Sequence, residues 1–310
     1  MNQNAQFASS NAWAVAIIAW QLAFTAGAID LSLSGSPLFW MLGEVLLAIS
    51  MFQWFVLHHD LAHGGFFRTK ALNVVVGHLS SLFCLIPFNS WRQVHHHHHR
   101  WSGWKDKDPS DPHSQVKKLP RWLIRLVDFC WKFWVPTIAL SFVVINFWNL
   151  RRVNQLFPDR KSRARNLFSV LFLATAFVAA FAVFGRVMLT AWLPAFVLFL
   201  MLSDPILLTQ HAHIDANYAR GQRVKAFRYS QQGAFARNVI YPRWIAKYFF
   251  YNSERHGLHH AHPKIPIYRL GRLPSPSENQ ITFGDWLRTA KAMPAELLIF
   301  RTTKESGIRL

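Results

Sequence analysis

"WRQVHHHHHRW", residues 91–101, sets five consecutive histidines in mid-chain between two tryptophans and two arginines. Purification tags sit at termini, whereas this run lies in aromatic-rich sequence between Phe88 and Trp104, so it reads as part of the natural chain. A histidine tract can buffer divalent metals without any fold. The alternative is a shared site, which other histidines would have to join. Within the run the spacing H-x-x-H-H occurs once, at His95, His98 and His99, because Arg100 closes every later register.

Two further clusters lie outward from it. In "LHHDLAHGG" (57–65), His59 and His63 are four apart and share one face of a helix. In "ERHGLHHAHP" (254–263), His256, His259 and His260 repeat H-x-x-H-H. Imidazoles at i and i+3 or i+4 aim at a common point, and imidazole suits iron, zinc, copper and nickel. The eight histidines are too many for one ion and suit two metals close together. Singly, any histidine has a blander reading. His78 fits a hydrogen-bonded core residue, and His58, His96, His97, His113 and His262 have no spacing argument.

The chain is 52% hydrophobic, with 27 Phe and 14 Trp, yet carries a net charge of +19 from 34 basic and 15 acidic residues. That pairing points to a membrane protein with a basic face. The apolar runs are too long and too pure for a nucleic-acid-binding domain, so no nucleic-acid partner is expected. Cys84 and Cys130 sit in apolar context without metal or redox spacing and read as packing residues. The opening "MNQNAQFASSN" lacks a basic n-region and the first Lys or Arg is Arg68, so no cleavable signal is expected.

A bilayer-crossing helix needs about 20 mostly apolar residues, and residues 12–31, 38–57, 167–184 and 190–209 qualify. "SLSGSP" joins the first pair, and a few residues around Gly185 and Arg186 join the second, which predicts two helical hairpins. "RRVNQLFPDRKSRAR" (151–165) holds six Lys or Arg against one Asp, so it is expected on the cytoplasmic side with both termini. The apolar stretches 72–88 and 133–150 are expected to lie in the interface or to dip in and return. The expected fold is a single all-α integral membrane domain over 1–310. Four transmembrane helices form two hairpins, under a cytoplasmic helical cap (58–165 and 210–310) that carries a dimetal site. A bacterial inner membrane is the expected location.

These histidine clusters resemble the three histidine boxes of the membrane-bound fatty acid desaturases. "HDLAHGGFF" is similar to the first box, "PFNSWRQVHHHHHRWSG" to the approach to the second, and "HHAHPKIPIYRL" to the third. "LLTQHAHID" (207–215) resembles the end of the fourth span in the omega, or Δ12-type, branch, where a further histidine completes the metal site. This carries over to His211 in preference to His213. The resemblance implies two iron ions, O2 as co-substrate, and introduction of a double bond into a lipid acyl chain. The third box reads H-x-x-H-H rather than Q-x-x-H-H, unlike the front-end branch, and no cytochrome b5 module fits at either terminus. Electrons are therefore expected from a separate carrier such as ferredoxin or cytochrome b5.

Carboxylates commonly orient ligating imidazoles through the second ring nitrogen. Asp60, Asp215 and Glu254 stand beside the boxes as candidates, followed by Asp106 and Asp108 of "WKDKDP", for which a solvated loop is an equal reading. A lipid hydroxylase built on the same boxes is the nearest alternative. A histidine-rich metal-binding or transport protein ranks lower, because within the spans the polar residues singled out are Gln21, Glu44, Gln53 and Asp204.

Overall fold

A computed structural model describes residues 5–112, 119–274 and 279–310, and His113 lies outside them. The chain is mostly helical. Ser10 caps α1 (Asn11–Ser32), its hydroxyl accepting from Trp13 N, and proline opens α2 (Pro37–Ala62). Gly43 sets how closely these two pack. A Cβ there would stand 2.3 Å from Ser32 N, so only glycine lets α2 approach the end of α1 this closely. Polar groups in this apolar pair satisfy one another. Gln21 Nε2 donates to Ser50 Oγ at 3.0 Å, Thr25 and Ser50 hydroxyls meet at 2.7 Å, and Trp54 Nε1 donates to Thr25 Oγ1 at 2.9 Å.

α3 (Lys70–Cys84) stops at Leu85, which adopts a left-handed conformation, and α4 (Phe88–Trp101) departs at 102° to it. α5 (Arg121–Lys132) and α6 (Thr137–Val143) follow. α6 continues as a π-helical turn to Trp148, and the bend between this pair is 117°. The two stretches expected at the interface, 72–88 and 133–150, thus each contain or adjoin a sharp break. The second one starts helical only at Thr137, after an interruption that includes Pro136.

α7 (Leu150–Leu156) leads to α8 (Arg160–Val187), capped by Asp159, whose carboxylate accepts from Ser162 N at 2.9 Å. A π-helical turn (Met188–Trp192) and α9 (Leu193–His211) follow. Together α8 to α9 make a 52-residue helical run that is strongly apolar beyond its basic first turns, which if straight would be about 78 Å long against a hydrocarbon core of about 30 Å. It is not straight. Phe184 leaves helical φ/ψ, and the rings of Phe177 and Trp192, fifteen residues apart, meet at 4.9 Å, so the chain folds back between them. Among the described residues three helical runs are long and apolar enough to cross a membrane, Asn11–Ser32, Pro37–Ala62 and Arg160–His211, or up to five if each bent pair is one span. Their outer surfaces carry bare apolar side chains, Trp20, Val178 and Val183 among them.

The remaining elements are short: α10 (Tyr229–Gln232), β1 (Asn238–Ile240), α11 (Arg243–Tyr248), α12 (His256–Ala261), α13 (Ile267–Leu270), β2 (Gln280–Thr282), α14 (Phe283–Ala292), α15 (Ala295–Phe300) and α16 (Thr303–Ser306). β1 and β2 pair in parallel with Val239 opposite Ile281, a departure from an all-helical fold made by strands too short for any periodicity to betray.

By packing, the chain divides into two compact units, Met1–Arg92 with Val143–Ser203, and Gln93–Phe142 with Asp204–Leu310. The first holds α1 to α3 and α8. The second has its own core of Trp131, Trp286, Ala290, Ala295 and Leu298, with Trp131 Nε1 donating to Ala290 O at 3.0 Å.

Candidate metal centre

Histidines of three elements meet inside the second unit. α4 buries His95, His98 and His99 while His96 stays exposed, as the H-x-x-H-H spacing requires on a helix. α9 ends on His211, and the single turn of α12 buries His256, His259 and His260. α12 sits where it does because Gly257 has no side chain. A Cβ there would lie 2.8 Å from Asn238 Nδ2 and 3.1 Å from Ala236 O.

His98, His211, His256 and His260 point their Nε2 atoms at one another, separated by 3.2 Å for His98–His211, 3.3 Å for His98–His260, 3.2 Å for His211–His260 and 2.9 Å for His211–His256. Their far nitrogens decide what these contacts are. His98 Nδ1 lies 2.6 Å from Asp108 Oδ2, and His211 Nδ1 lies 3.1 Å from the carbonyl of Phe235, so each Nδ1 carries the donated proton. His260 Nδ1 faces Gln232 Oε1 at 3.4 Å, and that amide cannot be flipped, because Gln232 Nε2 already donates to His99 O at 2.6 Å and Phe227 O at 3.3 Å. In the tautomer these partners select, three rings direct their Nε2 lone pairs into one space. Lone pairs at this range repel unless a cation lies among them. A proton is a poor candidate, since burial, and then the neighbouring His256, His211 and His98, hold His260 well below the ordinary imidazole range. A metal ion fits: four imidazoles, three of them oriented from behind, form a set suited to iron, zinc, copper or nickel.

A second group lies beside it in the same unit. His95, His99 and His259 offer ring nitrogens within 4.8 Å of one another, with His95 Nε2 3.1 Å from His99 Nε2 and the His99 ring stacked on His260 at 4.1 Å. In the first unit His59 is buried and His63 half-buried, their rings 5.3 Å apart, with His59 against Trp91 at 6.0 Å.

His213 lies apart from these groups. It is fully buried, with Nδ1 3.0 Å from Leu297 O, and Nε2 3.1 Å from Ile308 O and 2.8 Å from Ser306 Oγ, so it secures the C-terminal segment. Of the carboxylates singled out in sequence, Asp60 is buried in the first unit, and Asp215 accepts from the backbone of Lys304 at 2.9 Å. Glu254 is buried, with Oε1 3.8 Å from Arg255 Nε, and burial pushes its carboxyl up to about 7. Asp106 braces a loop by accepting from Ala219 N and Arg220 N at 2.8 and 2.7 Å. Asp108 meets a box histidine, His98.

Sequence reasoning passed over three supports. Phe235 acts through its backbone carbonyl, which no side-chain pattern reveals. Gln232 lies outside every histidine cluster. Arg237, its guanidinium buried and pushed down to about 10 by that burial, caps the end of α9 by donating to Thr209 O at 3.2 Å and Ala212 O at 2.6 Å. Its backbone N also donates to Gln210 O at 3.0 Å.

Residues 35–286 match the family model described as fatty acid desaturase. The chain is 28% identical over 251 residues to an acyl-lipid omega-3 desaturase (cytochrome b5) of the endoplasmic reticulum from Arabidopsis thaliana, covering 76% of this chain and 61% of that protein. It is 29% identical over 278 residues to a chloroplastic omega-3 fatty acid desaturase from Glycine max, covering 84% and 58%. A shorter match, 36% over 105 residues, covers 33% of the chain and 27% of an sn-1 acyl-lipid omega-3 desaturase (ferredoxin) from Synechocystis sp.. The chain spans less than two thirds of the length of each of these relatives.

Proposed function

Because the chain belongs to the fatty acid desaturase family, we propose that it introduces a double bond into the acyl chain of a membrane lipid. His59, His63, His95, His98, His99, His211, His256, His259 and His260 would hold two irons. The observation that carries this reading is the set of three Nε2 lone pairs, on His98, His211 and His260, held together by Asp108, Phe235 and Gln232. Bound there, the irons would supply the oxidising power of O2. The balance is one –CH2–CH2– unit, O2, two electrons and two protons giving –CH=CH– and two waters.

The chain's own residues prepare the site. Asp108, accepting from His98 Nδ1, fixes that ring's tautomer and strengthens its Nε2 as a donor. The Phe235 carbonyl does the same for His211, and Gln232 for His260 while also tying down the backbone of α4 at His99. His98 and His260 are buried and His211 half-buried, which limits the water that can compete for their nitrogens. The apolar helical runs suit a substrate that resides in the bilayer. In the proposed topology four spans place both hairpin tips opposite the basic segment 151–165, with the histidines on the cytoplasmic side of a bacterial inner membrane. The electrons would come from a separate ferredoxin or cytochrome b5, the two carriers named for the relatives.

The test is mass spectrometry of total fatty acids from a host expressing the chain with a working electron carrier, beside the His259→Ala variant. A species two hydrogens lighter than its parent acyl chain, present only with the intact chain, is the expected result. A species one oxygen heavier would make the protein a hydroxylase, and an unchanged profile would remove acyl lipids as substrate.

A further inference from the structure

One surface of the second unit has no role in the metal site. At 100° per residue, Trp122, Leu126, Phe129 and Phe133 fall within about 60° of arc on α5 and its cap. They are 67%, 47%, 54% and 59% exposed. Arg121, Arg125 and Lys132, also exposed, fall within about 40° directly beside that stripe. The opposite face is spoken for: Cys130 and Trp131 are buried, and Trp131 packs into the core with Trp286 and Ala290. The helix's sole acid, Asp128, turns inward to accept from Ala295 N. The outward face therefore presents an apolar stripe edged by three cations and opposed by no carboxylate of its own helix.

We propose that this face of α5 docks on anionic lipid headgroups, so that the helix lies in the membrane interface instead of forming part of a span. Charge selects the occupant: an apolar stripe seeks the acyl boundary, and cations along its edge meet lipid phosphates. Twelve residues reach only about 18 Å, short of a crossing, and three cations would have to enter the hydrocarbon with them. The chain just beyond carries exposed Trp134 and Val135, side chains suited to the same depth. This inference rests on the membrane character of the chain and is independent of the chemistry at the histidines.

Both native cysteines are buried, so a spin label on Leu126→Cys or Arg125→Cys in the full chain reports its own surroundings. The protein would be placed in nanodiscs of phosphatidylcholine alone or mixed with phosphatidylglycerol. Collision with lipid-soluble O2 would be compared with collision with a water-soluble nickel chelate. The label at 126 should favour O2 and the label at 125 should sit at headgroup depth. Phosphatidylglycerol should drive the label at 126 deeper, and the combined Arg121→Gln, Arg125→Gln, Lys132→Gln variant should lose that shift. Free access of the nickel chelate to position 126 in both membranes would overturn the proposal. So would dipolar broadening between labels, which would assign the face to a second copy, or shielding that arises only when an acidic soluble carrier is added.

Discussion

His98 depends on what holds its other nitrogen. With Asp108 at Nδ1 its Nε2 is a fixed, electron-rich donor; without it the ring is free to change tautomer. Asp108→Asn is therefore expected to weaken metal binding by roughly 10- to 100-fold, measured by competition with a chelator, while thermal stability changes little. His98→Ala should lose the metal at that position outright. His97→Ala should retain it, because the ring lies off the buried face of α4. Much at this scale was legible: the one available H-x-x-H-H register picks out the three buried histidines of the run and leaves His96 outside. The orienting groups were less so. Asp108 stands in sequence as a candidate with a solvated loop as an equal reading, and Phe235 acts through a carbonyl that every residue possesses.

At the scale of elements, the ends of α9 and α12 matter most, because each ends or begins on a histidine. Arg237 replaces the missing helical partners of Thr209 O and Ala212 O. Arg237→Met would leave buried carbonyls without donors, at a cost on the order of 3 kcal/mol. Thermal melting and metal-to-protein ratio should fall together, since His211 is in that last turn. Gly257→Ala should be as harmful to metal content, because the added methyl meets Asn238 and the Ala236 carbonyl, of which only the first is a side chain able to move. The long helices were readable from hydropathy. α12, with six residues, was readable only through its histidine spacing, and a buried arginine without an acidic neighbour in sequence gives no sign of capping a helix.

At the scale of the whole chain, hydropathy located the long runs, and the turn at Phe184 agrees with a second hairpin near Gly185. What hydropathy could not supply is the sharp breaks at Leu85 and around Pro136, which depend on local backbone geometry within otherwise apolar sequence. The proposed four-span topology expects cysteines introduced at Ser34 and Arg186 to react with an impermeant reagent from one side of the membrane, and one at Arg160 from the other. The central claim is that the histidines hold two irons, and the most direct test is elemental analysis with Mössbauer spectroscopy of the purified, iron-supplied protein. Two irons per chain in nitrogen-rich sites, lost in the His98→Ala, His259→Ala double variant, is the predicted result. Zinc in their place, a single metal per chain, or iron content unaffected by those substitutions would contradict it.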